Sequence, residues 1–453
     1  MLRRDFLRTG AIGAAGVTFG SQLLFGNSSV TGANDKIVLA LIGCGDRGLG
    51  CIINCCKTNE NVVIKTVCDV NRTKLANAAA RVEKEFNYRP GTTEEMRTLF
   101  DDKDIDAVWI ATPEHWHILA AIRACQAGKD VYVEKNLSVN IFESRQLVEA
   151  AAKYKRLVQA GLQNRSASQG FSAREYIQSG KLGKIVTVKT YFMLGGQKFT
   201  EAPATPVPAW LDWEKWLGPA PLRPFSPSIV SEHGRGGWQN YWDYSGGLLD
   251  DEASHTLDFT RMVLGDPPHP KSVYGWGGNY TYGGKSETPE AQSVTFDFGE
   301  YVLTADGGPS YKYMQKASQE IRNDTKRFPN WRNYSARVEI YGTEGLMYLG
   351  RHGGGWQVIG PGDQIVAGDG AIFPDTAHQK NFIECLRSRK TPNGNIEECH
   401  RSATLVNMGN IACRVGNKQL LFDGKTEHFI DNKQANILAR GTYRKGYEVT
   451  ENM

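Results

Sequence analysis

Asp251 and His255 stand four residues apart in the stretch Ser245-Gly-Gly-Leu-Leu-Asp-Asp-Glu-Ala-Ser-His-Thr-Leu-Asp258. That spacing puts both on one face of a helix, about one turn apart, with Leu257, Phe259, Met262 and Val263 supplying its buried side. Histidine titrates nearest neutrality, so His255 suits the removal of a proton from an alcohol. Asp251 can orient the imidazole or bind a neighbouring hydroxyl. A third group, Lys135, ends the strand-like run Val131-Tyr-Val-Glu-Lys-Asn136. An ammonium there can hold a reacting oxygen and stabilise developing alkoxide charge. Lys and Glu are almost never fully buried unless paired, so a strand that ends on Glu134-Lys135 asks for a reason. The competing reading of 250–255 is structural. Asp250, Asp251 and Glu252 would favour a helix's first turn through its dipole, and His255 would be a satisfied core histidine.

Deciding between these readings requires the elements that position the residues. Lys36-Ile-Val-Leu-Ala-Leu-Ile42 is a continuous apolar run, the pattern of a strand covered on both faces. Gly43-Cys-Gly-Asp-Arg-Gly48 follows it and a potentially helical segment comes next, the context that a dinucleotide-binding glycine motif needs. Gly43, Gly45 and Gly48 let the backbone approach a pyrophosphate, with Asp46 and Arg47 between them, and the helix start supplies N–H groups. A second strand, Val62–Cys68, ends at Asp69, whose carboxylate can accept from ribose hydroxyls and disfavours a 2′-phosphate. The cofactor expected is therefore NAD. Arg72 either softens that preference or stacks on the adenine. Further strand-like runs at 106–111, 130–134 and 157–161 alternate with helical segments. This predicts an α/β domain over 34–160 with a Rossmann doubly wound parallel sheet, its ligand beyond the carboxyl ends of the strands. Asp69, Thr112, Glu134, Lys135 and Gln163 all fall at those ends. His115 and His117, flanking Trp116, would face one side of an extended segment. No carboxylate or cysteine spacing completes a metal site, so they read as cofactor or substrate contacts and no metal is expected.

G-C-G-D-R-G, C-D-V-N, A-T-P-E-H-W-H, V-E-K-N and G-G-L-L-D-D-E-A-S-H together resemble the glucose–fructose oxidoreductase / inositol dehydrogenase (Gfo/Idh/MocA) family over essentially the whole chain beyond residue 33. The stretches 211–221, 241–247 and 398–404 are similar to exported sugar-processing members. The resemblance implies Asp69 for cofactor choice, the Thr112–His117 loop near the nicotinamide ribose, Lys135 beside the reacting carbon, and Lys135, Asp251 and His255 as the catalytic set. It also implies dimers or tetramers formed through the open face of a second sheet. Asn136 departs from the pattern, standing where the family usually carries a proline, often after a cis bond. Either the turn is trans here and Lys135 points differently, or the cis bond is kept.

From 161 to 453 the runs 185–191, 291–298, 301–304, 338–341 and 346–349 alternate apolar and polar residues. This predicts an α+β domain with a large, mostly antiparallel, open-faced sheet, and C-terminal helices near 377–388 and 398–416 packing back between the domains. The Pro-, Gly- and Trp-rich stretch 193–240 reads as an insertion or lid. Trp242 and Tyr244, with neighbouring aromatics, are candidate sugar-stacking rings or simple packing. Arg165 would meet substrate hydroxyls or a carboxylate, or else pair with an acid.

The chain has 453 residues, 40% hydrophobic and 23% charged, with a formal charge of +4 and no long basic stripe. Nothing in it favours a nucleic-acid partner. Nine cysteines without CxxC spacing read mostly as buried small hydrophobes. Leu2-Arg-Arg-Asp-Phe-Leu-Arg8 before an uncharged Gly/Ala/Leu run resembles a twin-arginine signal over residues 1–33. The apolar run is too short to span a membrane stably, so a periplasmic or otherwise exported location is expected. The functional expectation is an NAD-dependent oxidoreductase acting on a ring hydroxyl of a sugar or glycoside, C3 being the candidate position, with cofactor tightly bound. Two alternatives stand beside it: an NAD-dependent glycosidase working by transient C3 oxidation and elimination, and a non-catalytic sugar-binding protein of the same fold.

Overall fold

Strand β1 (Ile37–Ile42) is the hub of a six-stranded sheet because its leucines are shielded from water on one face and its alanine and isoleucine on the other. The structure, a computed structural model, describes residues 36–195, 198–231, 237–309, 313–416 and 418–453. The export-signal reading of 1–33 lies outside the described residues. Burying each of Leu39 and Leu41 completely contributes about 1.5–3 kcal/mol, enough to fix a strand with no amphipathic pattern of its own. β1 pairs in parallel with β2 (Val62–Cys68) and with β4 (Ala107–Ile110). β3 (Gly91–Thr93), β5 (Asp130–Val133) and β6 (Val158–Ala160) complete the order β3-β2-β1-β4-β5-β6, parallel throughout. The order reverses between β1 and β4, which opens a crevice at the carboxyl ends of those strands. This is the doubly wound sheet expected from the sequence, with β3 the strand that was not foreseen.

A ten-stranded sheet follows, from β7 (Ile185–Gly195), β8 (Ser272–Gly278), β9 (Ala291–Asp297), β10 (Val302–Pro309), β11 (Ala336–Gly342), β12 (Leu346–Gly350), β13 (Trp356–Gly360), β14 (Gln364–Asp369), β15 (Leu420–Asp423) and β16 (His428–Phe429). Their order is β14-β13-β12-β11-β7-β10-β9-β8-β15-β16, antiparallel except where β7 meets β10. One face packs through Val188, Phe192, Val294, Phe296, Leu303 and Ile340 onto helices Ser254–Val263 and Ile396–Val415. The other face leaves Val186, Tyr274, Trp276, Val302 and Leu421 exposed.

Residues Lys36–Met453 form one compact unit, because the C-terminal helices join the two sheets. Helix Asp375–Ser388 inserts Phe382 and Ile383 among Leu39, Leu41, Ile52 and Trp109 of the parallel sheet's core. Helix Ile396–Val415 packs on helices Ile141–Lys153 and Ser254–Val263 and on β8. Residues 211–244 carry a small core of their own, built on Leu211, Trp213, Leu217, Tyr241 and Tyr244. All nine cysteines are free thiols.

Candidate active site

The glycine loop is shaped by close backbone approach. Gly43 has φ +94°, and a Cβ there would meet the Ala111 carbonyl oxygen at 2.5 Å. At Gly48 a Cβ would lie 2.6 Å from the Gly43 carbonyl oxygen, so helix Asp46–Thr58 can sit this close to the loop only without a side chain there. Gly45 differs, with an ordinary φ and open space for 4 Å around the place a Cβ would take. Helices Arg72–Phe86, Ile141–Lys153 and Ile396–Val415 begin under the side chains of Asn71, Asn140 and Asn395. Helix Asp46–Thr58 begins under Gly45 with no side-chain cap, which leaves its first N–H groups for an anion. Asp69 is held in place as it accepts from the Cys44 N–H (2.7 Å) and the Asn71 N–H (2.8 Å). A cavity of about 230 Å³ is lined by the glycine loop, Asp69, Thr112, Leu211, Trp216 and Trp238, among others. These residues fit a dinucleotide: bare amides for the diphosphate, an anchored carboxylate for the ribose, and flat side chains over the cleft.

That cover is tied down. Leu211 bridges Asn71 in antiparallel fashion, and the Asp212 N–H donates to the Val70 carbonyl. Arg72 donates from its backbone to the Trp210 carbonyl (2.8 Å), from Nη1 to the Ala209 carbonyl (2.8 Å), and from Nε to Glu94 (2.9 Å). Arg72 therefore latches the 209–217 strap across the end of β2, where the sequence suggested adenine stacking or a softer NAD preference. The sequence reading lacked this partner because the strap lies about 140 residues along the chain.

On the reacting side, the Lys135 ammonium donates to Asp251 Oδ1 and to the Asp251 carbonyl, both at 2.7 Å. Burial alone would lower the Lys135 pKa, but the charge and hydrogen bond of Asp251 carry it above its ordinary value. Lys135 thus stays cationic although it is largely enclosed. His255 is 5% exposed, and its Nδ1 has no hydrogen-bond partner among the described residues. Burial, and then the positive charges of Arg351, Lys135 and Arg47, push its pKa well down, so the imidazole is neutral. Asp251 and His255 do not share a regular helix. Leu249–Ala253 is a π-helical turn and the α-helix begins only at Ser254, the kind of irregularity often found at functional sites. The Lys135–Asn136 peptide is cis, so the turn has the isomer that the family forms before proline.

Other expected residues have different partners. Segment 112–117 is not extended: Glu114–Trp116 form a 3₁₀ turn and a helix starts at His117, so alternate side chains do not share a face. His115 Nε2 lies 3.0 Å from the Trp216 carbonyl, among the rings of Trp216 and Tyr244. His117 lies between the Asn136 carbonyl (2.7 Å) and the Thr112 carbonyl (2.8 Å). Backbone carbonyls thus hold both rings, and burial pushes their pKa values down to about 3 and about 4. Glu134 accepts from Arg47 Nε (3.0 Å), and Arg47 also pairs with Asp375. Arg165 does not reach the cleft, because its Nε and Nη2 donate to Asp258 (2.7 Å) and Asp266 (3.0 Å) in a buried cluster. Tyr244 is fully buried in the 211–244 core. Trp242 packs under Arg414 and borders a different cavity. Tyr244 takes the packing role that the sequence also allowed, and Trp242 is half-buried at the edge of that cavity. Gln163 is placed as expected at the end of β6, buried, with both amide atoms unpartnered among the described residues.

Sequence reasoning missed several groups. Glu114 and Asp250 meet as a buried acid pair, in which burial and the Asp250 charge keep Glu114 protonated as donor. Gly246 N–H and Asn410 hold Asp250 from the other side (2.7 Å each). Glu252, Arg351 and His352 are also buried, and the charges of Arg351 and His352 bear on His255. Asp250 and Glu252 read as acids of a helix's first turn, and Arg351-His352 stands beside three glycines, which reads as a solvated turn.

A family model described as an oxidoreductase family, NAD-binding Rossmann fold, matches residues 37–162. Its companion, an oxidoreductase family C-terminal alpha/beta domain, matches 175–274 and 366–449. A levoglucosan dehydrogenase from Pseudarthrobacter phenanthrenivorans is 28% identical over 204 residues, 45% of this chain and 43% of that protein. A glycosyl hydrolase family 109 protein from Shewanella putrefaciens is 32% identical over 123 residues, 26% of this chain and 27% of that protein. The chain thus matches less than half the length of these curated relatives. Among solved structures, the WlbA dehydrogenase from Bordetella pertussis, in complex with NADH and UDP-GlcNAcA, has a TM-score of 0.61 at 19% identity, covering 86% of this chain and 99% of that one. Levoglucosan dehydrogenase in complex with NADH and levoglucosan has a TM-score of 0.60 at 18% identity, covering 84% and 98%. At these identities the likeness to the solved structures is one of fold.

Proposed function

The chain belongs to the Gfo/Idh/MocA oxidoreductase family, with an NAD-binding Rossmann domain, and on that premise we propose that it oxidises and reduces a ring hydroxyl of a sugar or glycoside while its NAD stays in the cleft. The carrying observation is the cationic Lys135, held at 2.7 Å by Asp251, beside a neutral His255 whose Nδ1 awaits a partner. Bound beyond the glycine loop, NAD⁺ supplies the hydride acceptor. Lys135 donates a hydrogen bond to the substrate oxygen and stabilises the alkoxide as it forms. His255 accepts the hydroxyl proton, which an already protonated imidazole could not do. Asp251 keeps the ammonium aimed, and His117 braces the turn that carries it.

Cofactor retention is supported by the strap, whose anchors at Val70, Asn71 and Arg72 stand beside the Asp69 ribose site. Retention suits an exported enzyme, the location we propose from residues 1–33, since a twin-arginine route carries folded protein. C3 is the proposed position of oxidation. The exposed Val186, Tyr274, Trp276 and Val302 on the second sheet support assembly as a homo-oligomer through that face. The relatives named as family 109 glycosyl hydrolases support a second reading, oxidation followed by loss of the aglycone and re-reduction.

Purified, undenatured enzyme incubated with glycosides and no added NAD tests both. A keto-sugar with enzyme-bound NADH is the expected result, whereas aglycone release favours the second reading. A protein that purifies empty and needs millimolar NAD would overturn retention.

A further inference from the structure

Most polar groups in this protein are satisfied, which makes one concentration of exceptions informative. Arg351 and His352 follow β12, are 4% and 6% exposed, and sit against Glu252 of the π-helical turn, at 3.6 Å from Arg351 Nε and 3.2 Å from His352 Nε2. Among the described residues, Arg351 Nε and Nη1, His352 Nδ1 and Glu252 Oε1 have no hydrogen-bond partner. The same holds for both amide atoms of Gln163 and of Gln169 and for His255 Nδ1. Arg351, Gln163 and His255 belong to one neighbourhood. The Arg351 carbonyl accepts from Asn164, next to Gln163 (3.1 Å), and Arg351 and His352 are both among the charges felt by His255. A buried polar atom left unpaired costs roughly 1–3 kcal/mol, so a cluster of this size is not how a chain finishes an inert core.

Resting on the sugar-oxidoreductase reading above, we infer that Glu252, Arg351 and Gln163 form a recognition station for two adjacent hydroxyls of a neutral sugar ring, next to the hydroxyl that faces Lys135 and His255. Donors and acceptors alternate as a diol requires. A hydroxyl between Arg351 and Glu252 accepts from the guanidinium and donates to the carboxylate, and its neighbour does the same at the Gln163 amide. Charge argues for neutrality. Arg47, Lys135 and Arg351 each face a carboxylate, from Glu134 and Asp375, from Asp251 and from Glu252, so a carboxylate or phosphate on the ligand would compete with these acids for its cations and would have only the more outlying Lys316 and Arg322 besides.

The test uses full-length, NAD-loaded enzyme with methyl β-glucoside, its monodeoxy analogues and methyl β-glucuronide. In the wild type, KM should rise at least about tenfold for the analogue lacking a bridged hydroxyl, and the glucuronide should bind more weakly than the glucoside. Arg351→Met and Glu252→Gln should raise the glucoside KM by a similar factor, with kcat changed less. Neither should lose further affinity for the same deoxy analogue, as a substrate-side cycle requires. Retained NAD and an unchanged circular dichroism spectrum exclude misfolding. Arg351→Lys, which keeps the charge and loses the planar fork, should recover only part of the loss. If Arg351→Met and Glu252→Gln leave KM within twofold while the wild type turns over, the station is wrong and the enzyme reading survives. If the wild type neither binds nor oxidises any neutral glycoside, the enzyme reading falls, and the station with it.

Discussion

The glycine loop and Lys135 stand at the same edge of one sheet, yet the loop and the Lys135–His255 cluster are specified in opposite ways. The loop is a backbone device. Gly43, Gly45, Gly48 and Asp69 lie within 27 residues, and what they offer a diphosphate is amides and the absence of side chains. The pocket is a side-chain device, assembled from 134–136, 163–169, 251–255 and 351–352, segments that only the fold brings together. The first tolerates few changes of shape and the second few changes of chemistry.

The largest effect that would sharpen this contrast lies in the pocket. His255→Ala or Lys135→Met should lower turnover by about 10²–10⁴-fold while the protein still purifies with NAD, as bound cofactor and stopped-flow hydride transfer would show. Loss of NAD along with turnover would mean that the two regions are not separable. In the loop, Gly48→Val should destabilise the protein by about 1–3 kcal/mol and empty it of NAD, because its Cβ must push against the Gly43 carbonyl. Gly45→Ala, with open space around its Cβ, should leave the denaturant midpoint unchanged and weaken NAD retention alone. A matching loss of stability in both variants would refute the distinction.

A third way to sharpen the comparison concerns acid. His115 and His117 have native pKa values of about 3 and about 4 against 6.5 unfolded. Between those limits the unfolded chain binds more protons, so stability falls as pH drops below about 6.5, by up to about 1.4 kcal/mol per pH unit for each histidine. Urea titrations at pH 7, 6 and 5 should show this slope, and His117→Gln should lessen it by one histidine's share, since His255, His352, His378 and His400 are lowered by burial as well. An unchanged slope in that variant would mean that His117 is not held neutral.

Much of this was legible before any fold was drawn, for a local reason. The run 36–42, the glycine spacing and Asp69 form one strand–loop–helix–strand unit, whose pattern is set by burial on both faces and by backbone approach. Lys135 was legible because a buried strand rarely ends on two charges. Misreadings came where partners are distant. For Arg165 the sequence allows either a substrate contact or an acid partner, and only the fold brings it to Asp258 and Asp266, about 100 residues away. His115 and His117 read as an extended pair but lie on a 3₁₀ turn and the helix that follows it. β13 and β14 were not anticipated because they are short and glycine-containing, and sheet pairing rather than propensity holds them.

By itself the sequence determined the parallel nucleotide domain and the carboxylate that ends its second strand, and it singled out Lys135, Asp251 and His255 as candidates. The tertiary structure alone decided the strap across the end of β2, the Lys135–Asp251 pair and the buried polar cluster around Arg351. The physical reason is range: backbone shape and burial patterns are written over a few tens of residues. Whether a charged side chain is solvated, paired or left waiting for a ligand depends on groups hundreds of residues away.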